Sequence, residues 1–262
     1  MADSSSNGKR LIAVCGKGGT GKTVSVALMA RALAESPRAG KLLLIDADPA
    51  MGLLSALGLS VQRTMGEVRE GIIRTARGDN KEDKAQIGDM IDYMVFEALS
   101  EMERYAVLAM GRTETLGCYC PVNTLLRGAI ETLSQSFDTI LIDGEAGLEQ
   151  LNRQVVRDLH TLLIVSDPTS RGMETAALIK KMVEVDRVIR CEQLGLVFNR
   201  VRGNEDLLRQ AAQKIGLEVF GLIPLDENVA EYDLVGKPIS ELPADSPGFA
   251  AYRAVVADHI LA

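Results

Sequence analysis

The sequence predicts one α/β domain: a mainly parallel sheet of about seven or eight strands with helices on both faces. Two observations predict it. Short apolar, β-rich runs recur at Arg10–Cys15, Leu42–Asp46, Tyr105–Met110, Asp138–Asp143, Thr161–Ser166, Leu194–Asn199 and Val219–Ile223. Amphipathic stretches, among them Val24–Glu35, Thr124–Ser136, Gly172–Val185 and Glu205–Ile215, lie between them, and such alternation implies parallel strands joined by crossover helices. Hydrophobic residues make up 47% of the chain but aromatics only 4%, so the core must be built from Ala, Leu, Ile and Val, as strands buried on both faces require. Sheets of this kind bind ligands beyond the carboxyl ends of their strands.

No Pro/Gly/Ser-rich linker divides the chain, so residues 10–262 read as one domain behind a flexible polar N-terminus, residues 1–9. The charged segment Ser60–Ser100 reads as a mostly helical insertion between the second and third strands, broken at Gly78-Asp79-Asn80. A net charge of −7 disfavours a general nucleic-acid binder, which needs a basic surface. No apolar run approaches the ~18–20 residues of a membrane span, and Met1–Arg10 lacks the apolar centre of a signal peptide. Four cysteines in 262 residues are too few for a disulfide framework. A cytoplasmic protein with free thiols is expected, and metal ligation stays open.

The first strand runs into Gly16-Lys17-Gly18-Gly19-Thr20-Gly21-Lys22-Thr23, which opens the first helix. This is G-x-x-x-x-G-K-[ST] in the strand–loop–helix setting that a phosphate loop needs. The glycines let backbone N–H groups turn inward around phosphate oxygens, and the helix N-terminus adds a favourable dipole. Lys22 is placed to reach the β- and γ-phosphates and Thr23 to ligate Mg²⁺. Farther on, Phe137–Asp143 is an apolar strand ending in a carboxylate, where Asp143 can ligate Mg²⁺ directly or through water.

With its extra lysine, the loop resembles the deviant Walker A of the MinD/ParA/NifH ATPases. The resemblance implies an ATPase in which Lys17 crosses a homodimer interface to the partner's nucleotide, acting as an arginine finger does. Val24 stands where many family members have a second Thr, which implies altered α-phosphate contacts. Leu42–Asp46 followed by Ala47-Asp48-Pro49 resembles the family's switch I. There Asp48 would orient or deprotonate the attacking water, and Asp46 would support the Mg²⁺ shell. Gly144–Glu149 resembles switch II, with Gly147 nominated to sense the γ-phosphate. Phe198-Asn199-Arg200 and Ile223-Pro224-Leu225-Asp226 resemble the adenine site, where the Asn side chain and the loop backbone read the base. Asn199 could equally be a cap or turn residue. The lack of an N-K-x-D guanine motif favours ATP and ADP over guanine nucleotides.

One further motif has no place in the phosphate chemistry. Cys118 and Cys120 flank Tyr119 in a Gly/Pro-bounded segment after the third predicted strand. Two thiolates underfill a tetrahedral shell, but a twofold dimer would bring four together, a set suited to Zn²⁺ or Ni²⁺. A reduced surface pair without metal, or a strained disulfide, fits the spacing too. The string MGRxExxGCYCxxN, with Val165–Gly172, resembles the CooC-type ATPases that assist nickel insertion into carbon monoxide dehydrogenase. That resemblance implies a metallochaperone whose Cys118 and Cys120, from two protomers, hold nickel or zinc, with a nickel enzyme such as carbon monoxide dehydrogenase as client. A positioning ATPase acting on membranes or DNA would need a basic surface or tail, and the segment Pro247–Ala262 is mild. An iron–sulfur reductase like NifH would take its ligands from separated cysteines, unlike this adjacent pair. Cys15 and Cys191 read as structural or incidental.

Overall fold

The computed structural model describes residues 9–77, 93–112, 128, 130–144 and 158–262. Its eight strands are β1 (Arg10–Cys15), β2 (Leu42–Asp46), β3 (Leu99–Glu101), β4 (Ala106–Ala109), β5 (Thr139–Asp143), β6 (Asp158–Ser166), β7 (Arg190–Val201) and β8 (Glu218–Pro224). They form one sheet in the order β3-β4-β2-β5-β1-β6-β7-β8, parallel except for β3, which runs antiparallel to β4 at the edge. The seven strands read from the sequence all lie here, with ends shifted by up to a few residues. Only β3, three residues long, was not anticipated. It is too short to show a period.

The helices α1 (Lys22–Ala34), α2 (Gly52–Leu57), α3 (Met65–Arg77), α4 (Ser170–Glu184), α5 (Glu205–Lys214), α6 (Glu227–Val235) and α7 (Pro247–Val255) divide between the two faces. Alternation along each strand decides the division. In β1, Ile12 and Val14 join the core beneath α1, α2 and α7, while Ala13 and Cys15 join the opposite core, beneath α3, α4 and α5. Likewise Leu42 and Leu44 of β2 face the α1 side, and Leu43 and Ile45 the other. Both faces are therefore buried, as the apolar strands require.

Local signals set the helix starts. α3 opens on a capping box: the Thr64 backbone N–H donates to Glu67, and the Glu67 N–H donates back to the Thr64 hydroxyl. In α4 the Thr169 hydroxyl accepts from Gly172 N–H. The C-terminal segment, read as a mild tail, instead forms α7 behind a Ser246 cap with Pro247 in its first turn. Phe249, Tyr252 and Val255 bury one face of it against β8 and α1. Within Ser60–Ser100, α3, helical residues 93–98 and the start of β3 are described; the expected break at Gly78-Asp79-Asn80 lies outside the described residues. No helix among the described residues is long and apolar enough to cross a membrane.

Candidate functional site

The strand order brings the motifs to one edge of the sheet. β1 lies between β5 and β6, so the loop after β1 is flanked by the carboxyl end of each. The loop fits closely: a Cβ on Gly16, whose φ is +142°, would meet the Val165 carbonyl oxygen at 2.1 Å. Any other residue there would push the loop off β6. Thr20 closes the loop internally by donating its hydroxyl to the Lys17 carbonyl, 2.9 Å. Lys22 Nζ stays near the loop, 3.4 Å from that carbonyl. Gly18 and Gly19 have open space where side chains would be, room that a phosphate chain can use. Lys17 is 3.7 Å from Asp167 with its side chain 37% exposed, an ion pair worth only about 0–1 kcal/mol.

Across the sheet, Asp46 and Asp143 are register partners on β2 and β5, and parallel strands set such partners about 5 Å apart. Alternation turns both toward α1, where Lys22 and Thr23 begin. Burial pushes both carboxyls up, Asp143 to about 7 and Asp46 to about 6. The two differ in partners. Asp46 accepts from the backbone N–H of Asp48 (3.2 Å) and Leu53 (3.1 Å) and so clamps the loop between β2 and α2. Neither oxygen of Asp143 closes a hydrogen bond, although Thr23 beside it offsets part of the burial effect. A buried carboxylate without donors is costly, and a divalent cation supplies what it lacks. Thr23, Asp143 and Asp46, the residues that would hold such an ion, offer only oxygen, as Mg²⁺ prefers. Among the described residues no three His, Cys, Asp or Glu side chains form a metal cluster by themselves. Asp48, half-buried, holds the Ala50 N–H at 2.8 Å, and Gly52 approaches Thr23, where a Cβ would lie 3.5 Å from its methyl.

On the other flank a cavity of about 490 Å³ opens between the loop and the ends of β7 and β8. Gly21, Val24, Asn199, Arg200, Pro224 and Tyr252 are among its walls. A flat base fits this mix of apolar wall and polar rim. Val24 thus lines this cavity as well as following Thr23. Asp226 also borders this cavity, but its carboxylate is already engaged. One oxygen accepts from Asn228 N–H and Nδ2, each at 3.0 Å, and the other from Ser246 Oγ and from Gly248 N–H at 2.9 Å. Burial works against its ionisation, but these bonds outweigh it and hold the carboxyl below the usual range. Its side chain caps α6 and ties it to α7, so only its backbone is left for a base. Gly147, Cys118 and Cys120 lie outside the described residues.

Sequence reasoning missed Ser25 and Tyr252, and gave Asp167, within the string Val165–Gly172, no role beside Lys17. The Ser25 hydroxyl donates to the Gly21 carbonyl at 2.8 Å, so its bond to Tyr252 must be donated by the phenol. That bond fastens α7 to the first turn of α1. Helical spacing of Phe249, Tyr252 and Val255 was the available signal; nothing local pointed to Ser25.

A glycine-rich loop entering a helix, strand-end carboxylates on one side and a base-sized cavity on the other define a P-loop ATPase. The chain belongs to the CobQ/CobB/MinD/ParA nucleotide-binding family, whose model matches residues 11–239. It is 36% identical over 237 residues to an uncharacterized ATP-binding protein of Methanocaldococcus jannaschii, covering 90% of this chain and 92% of that one. It is 30% identical over 240 residues to the carbon monoxide dehydrogenase accessory protein CooC of Rhodospirillum rubrum, covering 86% and 87%. Its fold matches the septum site-determining protein MinD of Pyrococcus horikoshii, solved with Mg-ADP, at TM-score 0.67 and 22% identity over 96% of both chains.

Proposed function

We propose that the chain is an ATP-driven metallochaperone: a nucleotide-dependent homodimer that holds Ni²⁺ or Zn²⁺ through Cys118 and Cys120 of both protomers and assists nickel insertion into carbon monoxide dehydrogenase or a related enzyme. The observation that carries this reading is the Cys-bearing string that leaves β4 beside the switch strand. Met110, at its start, donates its backbone N–H to the Asp46 carbonyl at 2.8 Å and accepts from Gly66 N–H at 2.8 Å. A shift of the Asp46 loop would therefore act on Met110, eight residues before Cys118 in the sequence. The similarity to CooC supports the same reading.

In hydrolysis the chain's own groups divide the work. The loop amides and Lys22 would hold the β- and γ-phosphates, Thr23 and Asp143 would hold Mg²⁺, and Asp48 would orient the attacking water and receive its proton. Bound Mg²⁺ neutralises charge on the transferred phosphoryl group. Lys17 exchanges its weak pairing with Asp167 for phosphate across the dimer. Loss of the γ-phosphate releases the loop clamped by Asp46, and the dimer state favoured by ATP loses its advantage.

The test combines light scattering with elemental analysis of protein loaded with Mg-ATP and Ni²⁺. Wild type should gain dimer mass and about one Ni²⁺ per dimer, whereas Cys118→Ala should lose the nickel and keep ATP binding. Full nickel retention in Cys118→Ala, or protein that stays single-subunit with ATP, would sink the proposal. The fold match to MinD favours a second reading, a positioning ATPase; ATP-dependent co-sedimentation with anionic liposomes would point there.

A further inference from the structure

The end of β7 does something that reading a base does not explain. Asn199 is 8% exposed, and its Nδ2 donates to the Thr20 carbonyl at 2.8 Å. Its Oδ1 accepts from the Arg200 backbone N–H at 3.0 Å. Arg200 sits at φ +59°, an unusual conformation for a side-chain-bearing residue. That turn carries its guanidinium back to the Gly19 carbonyl, 3.3 Å away. The Gly21 carbonyl, next in sequence, accepts from Ser25. Two successive carbonyls of the phosphate loop, those of Gly19 and Thr20, are thus held by side chains 181 and 179 residues distant, and the next, Gly21, by the first turn of α1.

The peptide plane makes this consequential. A carbonyl and the following N–H point in opposite directions across a trans peptide. Fixing the Gly19 and Thr20 carbonyls outward therefore aims the Thr20 and Gly21 N–H groups into the loop. There Thr20 N–H has only a long contact to Lys17, 3.4 Å. The close fit supports the same reading: a Cβ on Gly21 would lie 2.4 Å from Asn199 Nδ2. The amide of Asn199 fills the space that a side chain at Gly21 would need.

We propose that Asn199 and Arg200 are positioning residues of the phosphate loop: by holding the Thr20 and Gly19 carbonyls they pre-aim its N–H groups at the phosphates, whether or not a base is bound. The second Nδ2 proton of Asn199 remains for the base, so one side chain links base occupancy to loop geometry. This inference rests on the nucleotide loop alone and is independent of the cysteines.

Inorganic tripolyphosphate with Mg²⁺ is the discriminating probe, because it has no base. By calorimetry, Asn199→Ala should weaken Mg-tripolyphosphate binding by about five- to tenfold, the scale of one lost hydrogen bond. Mg-ATP binding should weaken at least as much. Arg200→Gly keeps the backbone turn, so its melting temperature should be unchanged or higher, yet it too should bind tripolyphosphate several-fold more weakly. Arg200→Lys should recover part of that loss, since an ammonium can still donate to Gly19. If Asn199→Ala binds ATP poorly but tripolyphosphate as wild type does, Asn199 reads only the base and the proposal falls. Wild-type tripolyphosphate affinity in folded Arg200→Gly would overturn the arginine's part, and that variant decides the matter should Asn199→Ala fail to fold.

Discussion

The two flanks of the phosphate loop are built on opposite principles. On the β7–β8 side almost every polar group is engaged: Asn199 on Thr20, Arg200 on Gly19, Ser25 on Gly21 and Tyr252, and four donors on Asp226. On the β2–β5 side Asp143 is buried with no hydrogen bond of its own, and Asp48 has one backbone donor on its carboxylate. The saturated flank resembles a fixture, since breaking its buried bonds, those of Asn199, Tyr252 and Asp226, strands a partner, whereas the exposed Arg200–Gly19 contact can open to water. The other flank holds charge in reserve for a cation and a γ-phosphate, and so must be able to change when they do. Stability and chemistry are thereby segregated within one site.

The comparison is broken most severely by Asp143→Asn. If Asp143 holds Mg²⁺ as proposed, steady-state ATPase activity should fall at least about 10–100-fold. The nucleotide-free variant should nevertheless melt at the same or a higher temperature, because an orphaned buried charge has gone. A lower melting point would show that Asp143 is satisfied in the resting fold.

Next in size is Asp226→Ala on the saturated flank, which should cost about 2–4 kcal/mol in urea unfolding because it strands several donors at once. Acid should mimic it. The Asp226 carboxyl is held below its ordinary value, so its contribution is present above the usual carboxylate range and lost as pH falls through the depressed value. Denaturation midpoints that match wild type at neutral pH would contradict this.

The opposite sign is expected from the reserve flank. Asp143 at about 7 and Asp46 at about 6 bind protons more tightly folded than unfolded. In chelator-treated protein their contribution is fullest below about pH 4, the unfolded value, and declines as pH rises toward about 7. The measurement is the difference in melting temperature between wild type and Asp143→Asn across that window. Binding of Mg²⁺ and nucleotide should release protons over the same range. The smallest effect belongs to Tyr252→Phe, which removes one buried hydroxyl and should cost about 1 kcal/mol. A cost too small to measure would mean that α7 is held by packing alone.

What could be read from the chain follows from how local the signal is. The phosphate loop and the carboxylates ending β2 and β5 lie in contiguous runs where residue type and spacing carry the chemistry, and the fold set them at one sheet edge. Seven strands were legible because each is apolar and bounded. β3 was not, being three residues paired antiparallel to a neighbour. α7 carries Phe249, Tyr252 and Val255 at helical spacing behind Ser246-Pro247, a pattern that its mild charge does not reveal. Asn199 and Asp226 were singled out as base readers. Their actual hydrogen-bond partners, Thr20 across the sheet and the Ser246–Gly248 turn, are fixed by tertiary packing, which strand-end spacing does not encode.

Cys15 closes β1 immediately before the phosphate loop, fully buried, and burial lifts its thiol to about 12. Such a sulfur is walled off from solvent and stays protonated at neutral pH. Alkylation of the native chain should therefore leave at least one of the four sulfurs unlabelled until denaturant is added. The molecule thus carries an internal reference in mass spectrometry, against which the labelling of its remaining thiols, metal-loaded or bare, can be counted.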